Sequence, residues 1–235
     1  MDTLFKIFLI IHIIGGSVGL ITGTINIIRK KADKNHRLIG NIFVYAMITA
    51  GFSSLVLSIL HTNYFLFIVG IFTLYMIITG KRYIYLKLLG SKQKPQMLDW
   101  IITIIMLVFG IVFIVFGIYF VVKSNYFGLV FIVFGYLGLS FVKTDFNHFK
   151  GKFKSKNYWL LAHLQRMIGG YIASLTAFLV VNVAYLPQVP AFVFWLLPTL
   201  IFLPLILKWS RMYEVKKKTT LIYNLLYYAL SGIQL

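Results

Sequence analysis

The chain has 235 residues, of which 60% are hydrophobic and only 12% charged, which is more apolar surface than a water-soluble domain of this size can bury. Its formal net charge of +18 would suggest nucleic acid as a partner in a soluble protein, but here it indicates basic residues sorted to one side of a membrane, with no nucleic-acid partner. The absence of cysteine excludes disulfides, thiolate catalysis and iron–sulfur clusters, so a bound metal or haem would need other ligands.

Seven segments are long and apolar enough, or nearly so, to cross a hydrocarbon core of about 30 Å as helices. In chain order they are 4–28, 39–60, 64–80, 100–122, 126–142, 158–183 and 191–208. We expect a single all-α integral membrane domain over residues 1–235, a bundle of seven transmembrane helices, with a cytoplasmic or interfacial tail over 209–235. The apolar stretch 221–235 is too short for an eighth span, which favours a helix lying on the membrane surface.

Lysine and arginine residues are concentrated in alternate connections, which hold 20 of the 23 basic residues of the chain. These connections are 29–38, 81–99 and 143–157, followed by the C-terminal segment. The intervening connections at 61–63 and 183–190 have none, and the one between spans four and five has only Lys123. Because cytoplasmic loops carry the excess of basic residues, we expect a cell (inner) membrane protein with its N-terminus outside and its C-terminus in the cytoplasm. Anionic lipid headgroups are the expected partners of the basic side.

The positions of the acidic residues bear on ion coupling. With these boundaries, no aspartate or glutamate lies inside a span: Asp33, Asp99, Asp145 and Glu214 are assigned to cytoplasmic segments and Asp2 to the outside. Proton- and sodium-coupled transporters commonly use an intramembrane carboxylate. The pattern therefore disfavours an ion-coupled pump, although histidine can also carry protons.

Span one presents His12 on the same helix face as Gly16, Gly19 and Gly23, and Gly15 extends this stripe of small residues. One interpretation is a close helix–helix contact that buries a hydrogen-bonded histidine. The other is a cofactor face, in which the imidazole of His12 binds haem iron and Gly16 lets the large ring approach the backbone.

A second group of candidates lies at the cytoplasmic side, where His36 and Arg37 begin span two and His163 and Arg166 begin span six. The similar depth of His36 and His163 predicts a shared metal or haem site. The two arginines could neutralise an anion there, such as a propionate, a phosphate or a lipid headgroup. The alternative is a set of interfacial basic residues that only determine topology. His12 lies at a different depth, so His12 and His163 form a poor pair of haem ligands.

Spans one and six share a short stretch of similar sequence. Residues 14–23 align without gaps to 168–177, and the two spans cross the membrane in opposite directions, as in transporters with inverted repeats.

His61 and His148 are assigned to loops, where we expect both to be solvated.

Three short motifs recur around the histidines: His12 with Gly16, the string His36-Arg37-x-x-Gly40, and His163-x-x-Arg166. Together they resemble the uncharacterised bacterial membrane-protein family called domain of unknown function 2306, over about residues 8 to 205. The resemblance implies a polytopic bacterial inner-membrane protein with recurrent histidines, and it implies no particular activity. Asn41 departs from the family pattern, which often has a basic residue at that position.

We favour a multi-pass membrane protein in which haem b or a divalent metal is held by some of His12, His36 and His163 and takes part in membrane electron transfer. The alternative is a carrier or binder of a small or lipid-like solute that uses the glycine-rich faces of spans one and six without an intramembrane carboxylate. A membrane hydrolase built on a histidine-bound metal is a third hypothesis, which no acid–histidine pair at ligand spacing supports.

Overall fold

A computed structural model of the protein describes residues 3–215, which form seven long α-helices. They are α1 (Thr3–Ile28), α2 (Lys34–Leu60), α3 (Tyr64–Tyr83), α4 (Met97–Val122), α5 (Gly128–Phe149), α6 (Tyr158–Val181) and α7 (Ala191–Tyr213). All seven are long and apolar enough to cross a membrane, and no strand occurs in the described range. This confirms the predicted helical class and the predicted number of long apolar helices, and it is consistent with a multi-pass membrane protein. The predicted surface helix at 221–235 lies outside the described residues.

The start of α2 lies five residues before the predicted position 39, because Asp33 caps the helix. Its carboxylate accepts a hydrogen bond of 2.6 Å from the backbone N–H of His36, which satisfies one of the unpaired donors of the first turn. This hydrogen bond and a second one from the side chain of Arg29 hold the pKa of the Asp33 carboxyl below its ordinary value.

The end of α5 lies at Phe149 rather than at the predicted residue 142. Polar residues follow the apolar run, but none of them breaks the helix, and it ends only before Gly151, whose φ of 71° is the left-handed conformation that favours glycine. Asp145 and His148 therefore belong to the helix and not to a loop. This extension brings new side chains into the bundle.

The central helix of the bundle is α3, which packs against α2, α4, α5 and α6. By contrast, α1 packs mainly on α2 and α7 mainly on α6, so both lie at the periphery. The helices α4 and α5 pack closely against each other, whereas their contacts with α3 are far sparser and the backbones of α5 and α6 barely approach. We refer to α4 and α5 together as the α4–α5 hairpin.

Glycines allow the two helices of this hairpin to touch along their backbones. A Cβ atom added at Gly117 would lie 2.8 Å from the carbonyl oxygen of Gly128, and one at Gly135 would lie 2.9 Å from that of Gly110. Such small residues are the usual means of close helix approach in membranes. The hairpin contacts α3 through aromatic rings, among them Phe134 against Phe72 at 5.1 Å between centroids.

Candidate functional site

A buried ion pair joins α5 to α6, two helices whose backbones barely meet. The Nη2 atom of Arg166 donates a hydrogen bond to Oδ1 of Asp145, and the two side chains are 0% and 1% exposed. Three hydroxyl residues complete the cluster: Tyr75 and Tyr83 from α3 and Thr103 from α4. We call these five residues the Asp145–Arg166 centre. It connects the α4–α5 hairpin to the rest of the bundle.

The Asp145 carboxylate accepts hydrogen bonds from four side chains. Oδ1 accepts from Arg166 and from the Tyr83 hydroxyl at 2.6 Å. Oδ2 accepts from the Tyr75 hydroxyl at 2.5 Å and from Thr103 at 3.4 Å. A carboxylate removed from water is tolerated as an anion when its oxygens are satisfied in this way. The centre therefore holds one negative and one positive charge in close contact.

The Arg166 guanidinium has fewer of its hydrogen bonds formed than the Asp145 carboxylate. Its Cζ atom lies 4.6 Å from the ring centroid of Tyr83 and 5.2 Å from that of Phe141, within the range of cation–π attraction. Nη2 makes the ion pair, but Nε and Nη1 have no hydrogen-bond partner among the described residues. Each forked edge of a guanidinium includes Nη2 and one of these two nitrogens, so both edges keep an unused donor.

A small cavity lies beside the Asp145 carboxylate, between the centre and a second ion pair. Its volume of about 10 Å³ has room for about one water molecule. Arg82 and Asp99 line it and bond to each other through two contacts of 2.7 and 2.9 Å. The Arg82 side chain is 22% exposed, so this pair stands between the cavity and the surface at the end of α3. A solute from that side would meet Arg82 and Asp99 before the centre.

The assignment of Asp99 and Asp145 to connections between the helices is therefore wrong. Asp99 lies in the first turn of α4 and Asp145 in the last turns of α5, and both are buried. Asp145 is assigned to a loop on sequence because Lys143, two residues earlier, ends the apolar run of the span. Residues two positions apart point to different sides of a helix, so Lys143 is exposed while Asp145 faces the interior.

The prediction that His148 is a solvated loop residue is also wrong. His148 lies on α5, is half-buried, and places Nδ1 3.0 Å from the hydroxyl of Tyr83. Its ring packs against Tyr83 and Tyr158, with centroids 5.6 and 5.1 Å apart. His61 lies in the connection between α2 and α3, where its ring packs edge-on against Phe5.

His12 lies at the contact between α1 and α2. Its Nδ1 is 2.9 Å from the carbonyl oxygen of Ala50 and 3.3 Å from the hydroxyl of Ser53. This is the geometry expected of a histidine that joins two helices. Gly19 lies against Met47 of α2, as a close contact requires, but a Cβ added at Gly16 would meet nothing within 4 Å.

The four candidates that were predicted at the cytoplasmic side do not converge on one ligand through their charged groups. His163 places Nδ1 2.8 Å from the carbonyl oxygen of Gly80 on α3, and Arg166, one turn later, extends past Gly80 to Asp145. Arg37 is exposed at the start of α2. His36 and His163 are close enough to interact electrostatically. Arg166 therefore belongs to a different cluster from Arg37, because its side chain is long enough to reach α5.

No group of three or more His, Cys, Asp or Glu residues within 3–215 is arranged to hold a metal ion. Four members of the centre were missed at the sequence level: Tyr75, Tyr83, Thr103 and Asp145. One signal for them was available, because Tyr75, Thr79 and Tyr83 follow at intervals of four residues and form a hydroxyl-bearing stripe on α3.

Comparisons of the chain with models of protein families, with curated proteins and with solved structures found no match. The resemblance of the histidine motifs to domain of unknown function 2306 therefore stays a prediction. The function has to be argued from the chemistry of the centre.

Proposed function

We propose that the protein carries or binds a small solute that bears a carboxylate group, and that Arg166 recognises this group. One observation supports the proposal above all others: a fully buried guanidinium keeps two nitrogens, Nε and Nη1, without an acceptor. An unpaired buried donor costs about 1–3 kcal/mol, so an acceptor that reaches these atoms gains a comparable free energy. This develops the carrier hypothesis, with an intramembrane carboxylate where none was expected.

The chemistry of the centre favours a carboxylate over other acceptors. The guanidinium fork matches a planar carboxylate, to which it can donate two parallel hydrogen bonds. Asp145 already supplies such a group to Nη2 alone, so a solute carboxylate competes with Asp145 for the same cation. Among the described residues, the small cavity beside Asp145 is lined by Tyr83 and Thr103 and not by Arg166, so a solute reaches Nε and Nη1 only if side chains of the centre move.

The surroundings of the centre also suit an anion. The connections on its side of the bundle, 84–96 and 150–157, contain Lys87, Lys92 and Lys94 and four further lysines. A concentration of positive charge attracts small anions to that surface. We propose that this surface is cytoplasmic, in a cell (inner) membrane, and that it also contacts anionic lipid headgroups.

Reporter fusions test this orientation. We expect fusions after Lys123 and after Leu186 to report an outside location, and fusions after Lys94, Lys156 and Leu235 to report the cytoplasm, because basic connections stay inside. Alkaline phosphatase and a fluorescent protein that matures only in the cytoplasm give opposite readings at each site. A cytoplasmic reading at Leu186 would contradict the seven-span topology.

Solute binding is tested by the thermal stability of the purified protein in acetate, formate or lactate, at constant ionic strength. We expect acetate to stabilise the protein and acetamide, its neutral isostere, to have no effect. The substitution Arg166→Lys keeps the charge and removes the fork, so acetate should bind about 10- to 100-fold more weakly, as the loss of a charge-assisted hydrogen bond predicts. Ser174→Ala, on the same helix but outside the centre, is the control and should bind acetate like the wild type.

Two outcomes would contradict this proposal. Equal stabilisation of the Arg166→Lys variant and the wild type by acetate would place acetate binding elsewhere. No stabilisation by any of the three carboxylates would mean that water alone satisfies the donors of Arg166.

The haem or metal hypothesis stays a prediction. Its support is that His12 and His163 each contact a backbone carbonyl through Nδ1, an arrangement common among imidazoles that bind metal through Nε2. The two residues contact different helices, α2 and α3.

A further inference from the structure

A row of hydrogen bonds leads from the edge of the bundle to the buried carboxylate. Nδ1 of His148 lies 3.0 Å from the Tyr83 hydroxyl, and that hydroxyl lies 2.6 Å from Oδ1 of Asp145. His148 is half-buried one residue before the end of α5, whereas Tyr83 and Asp145 are each 1% exposed. The row therefore joins an imidazole near the surface to the interior of the centre.

The direction of these hydrogen bonds follows from the donors that each group has. An ionised carboxylate only accepts, so the single O–H of Tyr83 is donated to Asp145. The Tyr83 oxygen then accepts from His148, which requires a hydrogen on Nδ1. A neutral His148 in this state has its free lone pair on Nε2, where it can take up a proton.

We propose that the solute binds together with a proton, which His148 takes up and Tyr83 passes to Asp145. This inference rests on the proposed role of Arg166 and adds the coupling ion. A proton binds to Nε2 of His148, the Nδ1–H bond breaks as that proton moves to the Tyr83 oxygen, and the phenolic proton moves to Oδ1 of Asp145. The net change is one proton added to Asp145, with His148 left as its other neutral tautomer, Tyr83 again a phenol and no group oxidised or reduced.

Protonation of Asp145 removes the counter-ion of Arg166. A buried cation without a partner is unfavourable, and the solute carboxylate replaces the charge that was lost. The centre then holds the same net charge before and after binding. Proton and solute therefore favour each other's binding by the same factor, as linkage requires, and their joint movement is electroneutral.

Other ionisable groups face this row from α3 and α4, and none of them offers a second path. Tyr75 donates to Oδ2 of Asp145 and has no contact with His148 among the interactions of the described residues. Arg82 and Asp99 lie across the small cavity, where each neutralises the other.

From α6, the groups that face the row are Arg166 and Tyr158. Arg166 remains a cation throughout and serves only as the partner of a carboxylate. The Tyr158 hydroxyl donates to the carbonyl oxygen of Leu86 and accepts from the N–H of Leu89, so it is occupied by the backbone. Tyr83 is the side chain of this set that contacts both His148 and Asp145.

The test measures proton uptake when acetate is added to the purified protein in weakly buffered solution with a pH-sensitive dye. We expect about one proton taken up for each acetate bound, as coupled binding requires. In Tyr83→Phe, the aromatic ring over Arg166 is kept but the relay is broken, so the rate of uptake should fall by at least about 100-fold, the lower end of the range for loss of an acid–base group. Tyr158→Phe also removes a phenol beside His148, but this hydroxyl bonds the backbone of Leu86 and Leu89 and not the row, so the variant should keep nearly the wild-type rate.

The outcomes distinguish a failure of the relay from a failure of the proposed function. Equal slowing in the two tyrosine variants would overturn the relay, since loss of a phenol outside the row would then be enough to slow proton uptake. Acetate binding without proton uptake would overturn the coupling and leave the role of Arg166 standing. Absence of acetate binding in the wild type would remove the proposed function itself. If Tyr83→Phe does not fold, His148→Gln gives the same comparison at the more exposed end of the row.

Discussion

Replacement of Asp145 by Ala is expected to lower the free energy of unfolding by about 3–5 kcal/mol, because it leaves the charge of Arg166 buried without a partner. Arg166 is fully buried, and Nη2 would join Nε and Nη1 as an unsatisfied donor apart from a long contact of 3.5 Å with the carbonyl oxygen of Phe141. The measurement is reversible unfolding in mixed detergent micelles, with wild type and variant under identical conditions.

The double variant Asp145→Ala with Arg166→Met is the control for this prediction. It removes both charges and keeps an apolar side chain of similar length, so most of the lost stability should return, as it does when buried ion pairs are replaced whole. A double variant that is no more stable than Asp145→Ala alone would show that the unpaired charge is not the cause. A loss below about 1 kcal/mol in the single variant would show that water reaches Arg166.

Replacement of Gly135 by Ala should lower the free energy of unfolding by about 1–3 kcal/mol through overpacking of the α4–α5 hairpin. The new methyl group would lie 2.9 Å from the carbonyl oxygen of Gly110 and 3.1 Å from two side-chain carbons of Ile114. The first neighbour is backbone, so the helices must separate to relieve the contact. The same unfolding assay measures the effect.

Gly16→Ala is the matched control for this substitution. Gly16 is also a glycine within a membrane-spanning helix, but an added Cβ meets nothing within 4 Å, so the variant should be neutral or more stable by up to about 1 kcal/mol from helix propensity. If both variants had the same effect, the close approach of α4 and α5 would not be the source of the loss at Gly135.

The number of helices could be read from the sequence because each apolar run is bounded by charged or turn-forming residues. The end of α5 could not be read from the sequence, because the apolar run stops at Lys143 while the helix continues. Whether the helix continues past Lys143 depends on whether Asp145 has a partner inside the bundle. That partner, Arg166, lies 21 positions away on a different helix, and no local pattern pairs the two.

The residues of the candidate site were predicted only in part, because the contacts between helices cannot be read from the sequence. His163 and Arg166 were both recognised as candidates at the start of span six, and both lie against Gly80 of α3. Which group each side chain reaches depends on side-chain length and on which helix is the next neighbour. A histidine stops at the backbone of α3, whereas an arginine passes it and reaches Asp145 on α5. Helix order in the bundle is tertiary information that periodicity does not contain.

The four donors to Asp145 describe the centre in its closed state. Tyr75 and Tyr83 hold the hairpin to α3 at this end and Arg166 holds it to α6, whereas the contact of Thr103 lies within the hairpin. A solute carboxylate that binds Arg166 releases one of these four contacts. Carriage of the solute therefore coincides with loosening of the hairpin.

The central claim is that a solute carboxylate replaces Asp145 as the partner of Arg166. Difference infrared spectroscopy during perfusion with acetate tests it most directly, because a carboxylic acid and a carboxylate absorb at different frequencies. We predict a new band of a protonated carboxylic acid that shifts when the aspartates of the protein are labelled with carbon-13 and does not shift when acetate is labelled. Absence of this band would contradict the uptake of a proton by Asp145, and an Arg166→Lys variant with the same difference spectrum as the wild type would contradict the role of Arg166.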